Sequence, residues 1–276
     1  MIVMLTAEQE GGQLKCHSYW GSNEYGSLKV KILSEKKVPL AVGRLRAPGE
    51  RRDQGRRRAN TSTENTPITP STDQPVATVR TFYLSHSSYP FTPIREITQI
   101  HYSSWPDFGA PATPGHLLSL VEVSNHIQRA ASLPTEPPRP MSPEDDDNPR
   151  PMLIHCSAGC GRTGTFCTID SVIDMLKRQY KERKSGVIPM DITPSDQGQE
   201  VNRQWLFDED LDLIETTVQD FRRQRLSMVQ SLRQYVLCYE TIVEWIVQLH
   251  GSGKTGRGRS GSVGGLVEGN NNGSIQ

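Results

Sequence analysis

The sequence predicts a fold of the α/β (α+β) class, a central twisted mixed sheet flanked by helices, on three observations. Strand-length apolar or alternating runs crowd the N-terminal half: Met1 to Leu5, then Leu28, Val30 and Ile32 between lysines, then Thr78 to Leu84 and Ile97 to Tyr102. Helical spacing dominates the C-terminal half, in Phe166, Ile169, Val172, Ile173 and Leu176, again in Leu211, Ile214, Val218 and Phe221, and again in Leu232, Val236, Tyr239, Val243 and Ile246. The two patterns meet at Met152-Leu153-Ile154-His155-Cys156, where a short apolar strand runs through a glycine loop into a helix.

Taken in order, Met1 to Leu5 is a core-type strand at the very start, so further chain is expected upstream. Glu10-Gly11-Gly12 and Leu14-Lys15-Cys16 follow as a hairpin-like segment. From about residue 38 to 76 the composition turns to a basic run, Arg44 to Arg58, and then a Thr/Ser/Asn/Pro tract. It holds too little apolar surface to order itself and is expected to be a disordered insertion between strands. The arginines read first as a solvated linker, and a nuclear-import or RNA-binding patch stays open as the second reading. Thr113-Pro114 opens a helix whose face is Leu117, Leu118, Val121 and Ile127. A second insertion is expected over about 132–150, rich in proline and carrying Glu144-Asp145-Asp146-Asp147. Residues 251–276 read as a Gly/Ser-rich disordered tail, which leaves 1–250 as one domain.

Composition narrows the function. The 276 residues carry a formal net charge of zero and 34% hydrophobic residues, so no global field argues for nucleic acid or acidic membranes. Five cysteines without a paired framework, and no apolar run of membrane-spanning length, suit a reducing compartment. Cys156 and Cys160 lack a second Cys/His pair at zinc spacing, so no metal is expected.

The chemistry concentrates in His155-Cys156-Ser157-Ala158-Gly159-Cys160-Gly161-Arg162-Thr163-Gly164. Loop amides and a helix N-terminus converge there on one spot and favour a bound anion. A cysteine at that spot is favoured as the thiolate. Arg162, six residues on, presents a planar fork for two oxygens of a tetrahedral oxyanion. Gly159 and Gly161 free the backbone, and Thr163 can aim a hydroxyl at the sulfur. A dianion held against a thiolate is the arrangement for phosphoryl transfer to sulfur.

This stretch resembles the signature of the cysteine-dependent protein tyrosine phosphatases of non-receptor type, with Cys160 in its free position. The resemblance implies a phosphatase-like sheet and hydrolysis of phosphotyrosine through a phosphocysteine, with Cys156 as nucleophile and Arg162 and the amides from Ser157 to Arg162 around the phosphate. Trp105-Pro106-Asp107 after His101-Tyr102 is similar to the family's acid loop, which makes Asp107 the general acid and Trp105 part of its hinge. By the same resemblance Gln230 positions the hydrolytic water with Gln234 nearby, Glu10 braces Arg162, and Lys15 lies beside the pocket. It implies no cofactor, phosphotyrosine-containing proteins as partners, no nucleic acid or membrane, a monomer, and a cytoplasmic location with the nucleus as a further compartment. A solvated hairpin with ordinary surface charges stays open for Glu10 and Lys15.

The chain also departs from the pattern. No Asn-Arg-Tyr, Tyr-Ile-Asn-Ala or Thr-Gln-Gly-Pro segment is present, and Ser227 stands where the family usually has glycine at the pocket mouth. Three further readings stay open: a catalytically impaired phosphotyrosine-binding module, a dual-specificity phosphatase or sulfur transferase using the same loop, and an inactive fragment.

Overall fold

The computed structural model describes residues 1–40, 75–91, 94–107, 109–111, 113–132, 151–185, 204–206, 208 and 210–251. The Arg-rich and Thr/Ser-rich run, the acidic run and the tail beyond 251 lie outside the described residues. So does Phe108 of the acid loop.

Eight strands and four helices are described: β1 (Ile2–Met4), β2 (Gln9–Glu10), β3 (Gln13–Leu14), β4 (Asn23–Tyr25), β5 (Leu28–Pro39), β6 (Val76–His86), β7 (Arg95–His101), α1 (Pro114–Ser132), β8 (Leu153–His155), α2 (Gly161–Ser185), α3 (Leu213–Gln224) and α4 (Leu232–Gly251). Six strands form one mixed sheet in the order β4-β5-β6-β7-β1-β8, and β2 and β3 pair as a separate hairpin. The β4 to β7 half is antiparallel, whereas β1 runs parallel to both β7 and β8. A strand flanked on both sides in a parallel arrangement is covered on both faces, which is why Met1 to Leu5 is apolar without alternation.

Side-chain parity along β1 divides the core. Val3 and Leu5 point into the large cluster with Phe166 and Ile169 of α2, Leu117 and Val121 of α1, and Leu237 and Ile242 of α4. Met4 points the other way, onto Trp20 and Phe82. Asp212 caps α3, its carboxylate accepting from the amides of Ile214 and Glu215 at 2.9 and 3.0 Å. Such a cap contributes about 1 kcal/mol. Among the described residues no helix is long and apolar enough to cross a membrane.

Two sequence expectations differ from the structure. The strands flanking the first insertion reach further than its expected edges: Val38 and Pro39 pair with Ala77 and Val76, and the Leu40 amide donates to the Pro75 carbonyl. Burial of Leu40 against the main core extends the ribbon there. On α4 the expected apolar face, Leu232, Val236, Tyr239, Val243 and Ile246, is mostly turned to solvent, with Leu232 78% and Val243 58% exposed. The buried side is Gln234, Leu237, Cys238, Thr241, Ile242 and Trp245. Both sets have helical spacing, and the set facing α1 and α2 includes polar residues that a hydrophobicity pattern passes over.

Candidate active site

β8 delivers Cys156 from the sheet to the N-terminus of α2. The loop between them closes on the sulfur: the Thr163 hydroxyl donates to Cys156 Sγ at 3.2 Å, and the amides of Thr163, Gly159 and Cys160 also point at it. Burial alone would push the thiol up, but these four donors outweigh it and hold Cys156 below the ordinary thiol range. Gly159 takes a φ of +69°, the left-handed region that glycine enters without strain. The other described cysteines of the core behave oppositely, burial pushing Cys167 and Cys238 up to about 12. Of these three sulfurs the loop donors therefore favour only Cys156 as the thiolate.

Arg162 is only 1% exposed. Its Nη1 donates to Glu10 Oε1 at 2.5 Å and to the Trp105 carbonyl at 2.8 Å, and its Nη2 faces Asp107 Oδ1 at 3.3 Å. The β2–β3 hairpin thus reaches the pocket through Glu10, which also accepts from the Ala7 amide at 3.3 Å. Lys15, just beyond β3, donates to Asp107 Oδ2 at 3.0 Å. Trp105 is fully buried, and its ring N–H donates to the Gly109 carbonyl at 3.0 Å, tying both ends of the acid loop together.

Gln230 and Gln234 lie against the start of α2. A Cβ added at Gly161 would sit 2.9 Å from Gln234 Oε1 and 3.0 Å from Gln230 Oε1, so the glycine opens the space both amides occupy. Gln234 Oε1 accepts from the Gln230 and Ser231 amides at 3.1 and 3.3 Å and shapes the turn into α4. The backbone of this segment fits equally closely: a Cβ at Gly164 would come within 2.6 Å of the Val229 nitrogen. The structure thus brings Cys156, Arg162, Thr163, Asp107, Trp105, Glu10, Lys15, Gln230 and Gln234 around one loop. Ser157 and Ala158 are exposed on its rim.

Four contributors escaped sequence reasoning. Arg225 donates to the Ala158 carbonyl at 2.9 Å and approaches Cys160 Sγ at 3.4 Å, bracing the loop from outside. Arg222 donates to the carbonyls of Met228 and Val229, both at 2.9 Å. Thr6 places its hydroxyl 2.9 Å from Glu10 Oε1, and Tyr19 places its hydroxyl 2.7 Å from His155 Nε2. Arg225 and Arg222 act through backbone carbonyls and Tyr19 acts across the fold, where no spacing rule applies; Thr6 is local to Glu10, in an irregular stretch without a repeating pattern.

A family model described as protein-tyrosine phosphatase matches residues 49–192, slightly more than half of the chain. The chain is 27% identical to tyrosine-protein phosphatase 3 of Saccharomyces cerevisiae over 88% of its length. It is 33% identical to human tyrosine-protein phosphatase non-receptor type 18 over 54% of its length. It covers 27% and 23% of those two proteins, so it spans about a quarter of their length. The solved catalytic domain of human protein tyrosine phosphatase non-receptor type 18 superimposes with a TM-score of 0.53 at 23% identity, over 88% of this chain and 59% of that one, and shows the shared fold. With the signature loop assembled and more than half of its length matched by that model, the chain belongs to the protein-tyrosine phosphatase family.

Proposed function

We propose that this chain hydrolyses phosphotyrosine in proteins by a two-step route through a phosphocysteine at Cys156. The observation that carries the reading is the set of four donors converging on Cys156 Sγ, in a loop that runs into the buried fork of Arg162. Thiolate sulfur attacks phosphorus, a sulfur–phosphorus bond forms, and the bond from phosphorus to the tyrosine oxygen breaks. Arg162 and the loop amides hold the equatorial oxygens, taking the charge that metal ions take in other phosphoryl transfers. Asp107 gives its proton to the departing phenolate. Water positioned by Gln230 then attacks phosphorus, its proton passes to Asp107, and the sulfur–phosphorus bond breaks to release phosphate and the thiolate.

The geometry supports these roles in detail. Asp107 faces Arg162 Nη2, the same group that an incoming phosphoryl oxygen would engage. A bound dianion therefore competes for that contact and frees the carboxyl to turn toward the leaving oxygen. Gln230 borders the same loop at Gly161. A solved relative, human protein tyrosine phosphatase non-receptor type 18, is seen in complex with HER2 phosphopeptides, which supports phosphotyrosine-containing proteins as partners here. The unit assigned to this activity is residues 1–250, working as a monomer in the cytoplasm without a cofactor.

The test is Cys156→Ser in the whole chain, with an aryl phosphate as substrate. Loss of a nucleophile costs on the order of 10⁶-fold in turnover, and binding of a phosphotyrosine peptide should survive it. Undiminished hydrolysis by the variant would refute the scheme. Peptide binding without hydrolysis by the unsubstituted chain would instead mark a binding module.

A further inference from the structure

Beneath the pocket, on the sheet face away from α1, α2 and α4, lies a chain of polar side chains that the mechanism above does not use. It starts at Arg80 on β6, which is 8% exposed. Its Nε donates to Glu35 Oε2 at 2.6 Å, and its guanidinium carbon sits 4.4 Å from the Trp20 ring centroid. Its Nη1 lies 3.1 Å from Gln99 Oε1 and 3.1 Å from His101 Nδ1. Gln99 Nε2 lies 2.8 Å from the Tyr19 hydroxyl and 3.7 Å from Met4 Sδ. Tyr19 reaches His155 Nε2 at 2.7 Å, and His155 Nδ1 lies 3.2 Å from the carbonyl of Cys156.

The first member fixes the direction of the bonds as far as Tyr19 and His101. A guanidinium can only donate. Gln99 must therefore turn its carbonyl oxygen to Arg80 and its NH₂ to Tyr19; the flipped amide would set donor against donor. The Tyr19 oxygen accepts from Gln99, and among the described contacts the acceptor within reach of its buried proton is His155 Nε2, so Tyr19 donates there. Burial pushes the Tyr19 phenol up to about 12, so that proton is present throughout the neutral range. His155 Nε2 is then an acceptor, and its ring proton sits on Nδ1, donating to the Cys156 carbonyl. A second branch obeys the same rule. His101 Nδ1 accepts from Arg80, so its proton sits on Nε2 and donates to the Thr6 carbonyl at 2.8 Å. Thr6 in turn carries the hydroxyl beside Glu10, the brace of Arg162.

We propose that Arg80 and Gln99 are positioning residues of the active site, forming a one-way hydrogen-bond relay that fixes opposite ring tautomers on His155 and His101. One branch ties the first carbonyl of the signature loop to the His155 ring, and the other supports the Glu10–Arg162 pair. A single buried cation thereby sets the geometry of nucleophile and phosphate clamp together. That part rests on the phosphatase reading; the tautomers do not.

Long-range ¹⁵N–¹H correlation spectra of the labelled whole chain read both tautomers without a substitution, the two rings being assigned from His101→Gln and His155→Gln. The expected result is the Nδ1–H form for His155 and the Nε2–H form for His101. Finding His155 protonated on Nε2 overturns the relay. Gln99→Glu gives the sharper contrast. It keeps the acceptor for Arg80 but offers Tyr19 an acceptor where a donor stood, so the phenol proton swings away from His155. His155 should then gain an Nε2–H signal while His101 is unchanged, and aryl phosphate hydrolysis should lose kcat several-fold. An unchanged His155 tautomer in that variant also overturns the relay. Should Gln99→Glu not fold, Tyr19→Phe removes the donor to Nε2 directly and must abolish the preference for Nδ1–H. Failure of the phosphatase reading looks different: the tautomers appear as stated in a chain that hydrolyses nothing.

Discussion

The two sides of the pocket are held in opposite ways. Cys156 is fixed mostly by backbone: three of its four donors are amides of the loop and of the start of α2, and Arg162 of the same turn is almost fully buried. Asp107 has a side chain 34% exposed on an irregular stretch between β7 and α1, and it faces two cations, Lys15 at 3.0 Å and Arg162 at 3.3 Å. In the proposed scheme Cys156 is the nucleophile and Asp107 the acid, and the nucleophile side needs one geometry throughout. An acid that must meet a leaving group and later a water is better held by partners it can exchange.

The largest effect expected from breaking this contrast is on the acid. Asp107→Asn keeps the shape and removes the proton, so kcat on a phosphotyrosine peptide should fall by roughly 10²–10⁴ with KM little changed. An aryl phosphate whose phenol is already a strong acid needs less help and should lose far less. Equal losses on both substrates in steady-state assays would remove Asp107 from the role of acid.

Next comes the joint between the two sides. Glu10→Gln replaces the ion pair with Arg162 by a hydrogen bond from the same guanidinium to a neutral amide oxygen, at a cost of about 1 kcal/mol in stability. The change should appear as a lower Tm together with a lower kcat/KM, because the same guanidinium serves core and substrate. A drop in Tm with unchanged kinetics would make Glu10 purely structural.

A subtler change sharpens the nucleophile side. Thr163→Val is nearly isosteric and deletes one of the donors that lower the Cys156 thiol. The rate of alkylation by iodoacetamide against pH should move to higher pH, with the plateau rate conserved. The linkage follows in sign: a depressed folded-state thiol adds stability that is full above its unfolded value and lost as pH falls through the folded one. The variant should thus gain less stability than the parent chain between neutral and mildly alkaline pH. An alkylation curve that stays in place would mean the amides alone hold the thiolate.

How much of this was legible in the sequence follows the range of the interactions. The strand-to-helix passage at Cys156 is local, and residue type and spacing carry it. β1, β5, β6, β7 and the buried faces of α1 and α2 were readable because period and burial coincide there, as in Phe166, Ile169 and Val172. On α4 they do not coincide. The helix carries apolar residues on two sides, and the buried side includes Gln234 and Thr241, so periodicity picked the exposed stripe. The relay from Arg80 to His155 was invisible for another reason. Its members lie on four separate stretches of chain, and only the sheet register brings Arg80 opposite Gln99. Glu10 and Lys15 likewise reach Arg162 and Asp107 across the whole domain, and their place came from likeness to a family rather than from pattern.

The smallest effect concerns the segment that closes the pocket behind Gln230. Ser227 and Val229 adopt positive φ, 64° and 58°, where a side chain costs roughly 1–2 kcal/mol. Arg222 holds the carbonyls of Met228 and Val229, and Val229 sits where a Cβ on Gly164 would clash, so the turn cannot relax away from this conformation. Val229 is 1% exposed and offsets its strain by burial; Ser227 is exposed and has no such compensation. Ser227→Gly should therefore relieve the strain, less about 0.5–1 kcal/mol for the greater freedom of glycine in the unfolded chain. The net gain is about 0.5–1 kcal/mol, or roughly 1–4 °C in Tm. The family resemblance puts Ser227 at the pocket mouth, so on that reading removing its hydroxymethyl should also speed hydrolysis of bulky aryl phosphates while leaving a small one unchanged. A raised Tm with unaltered selectivity would confine Ser227 to backbone strain; a shift in selectivity at constant Tm would show that its side chain, not its φ, shapes the entrance.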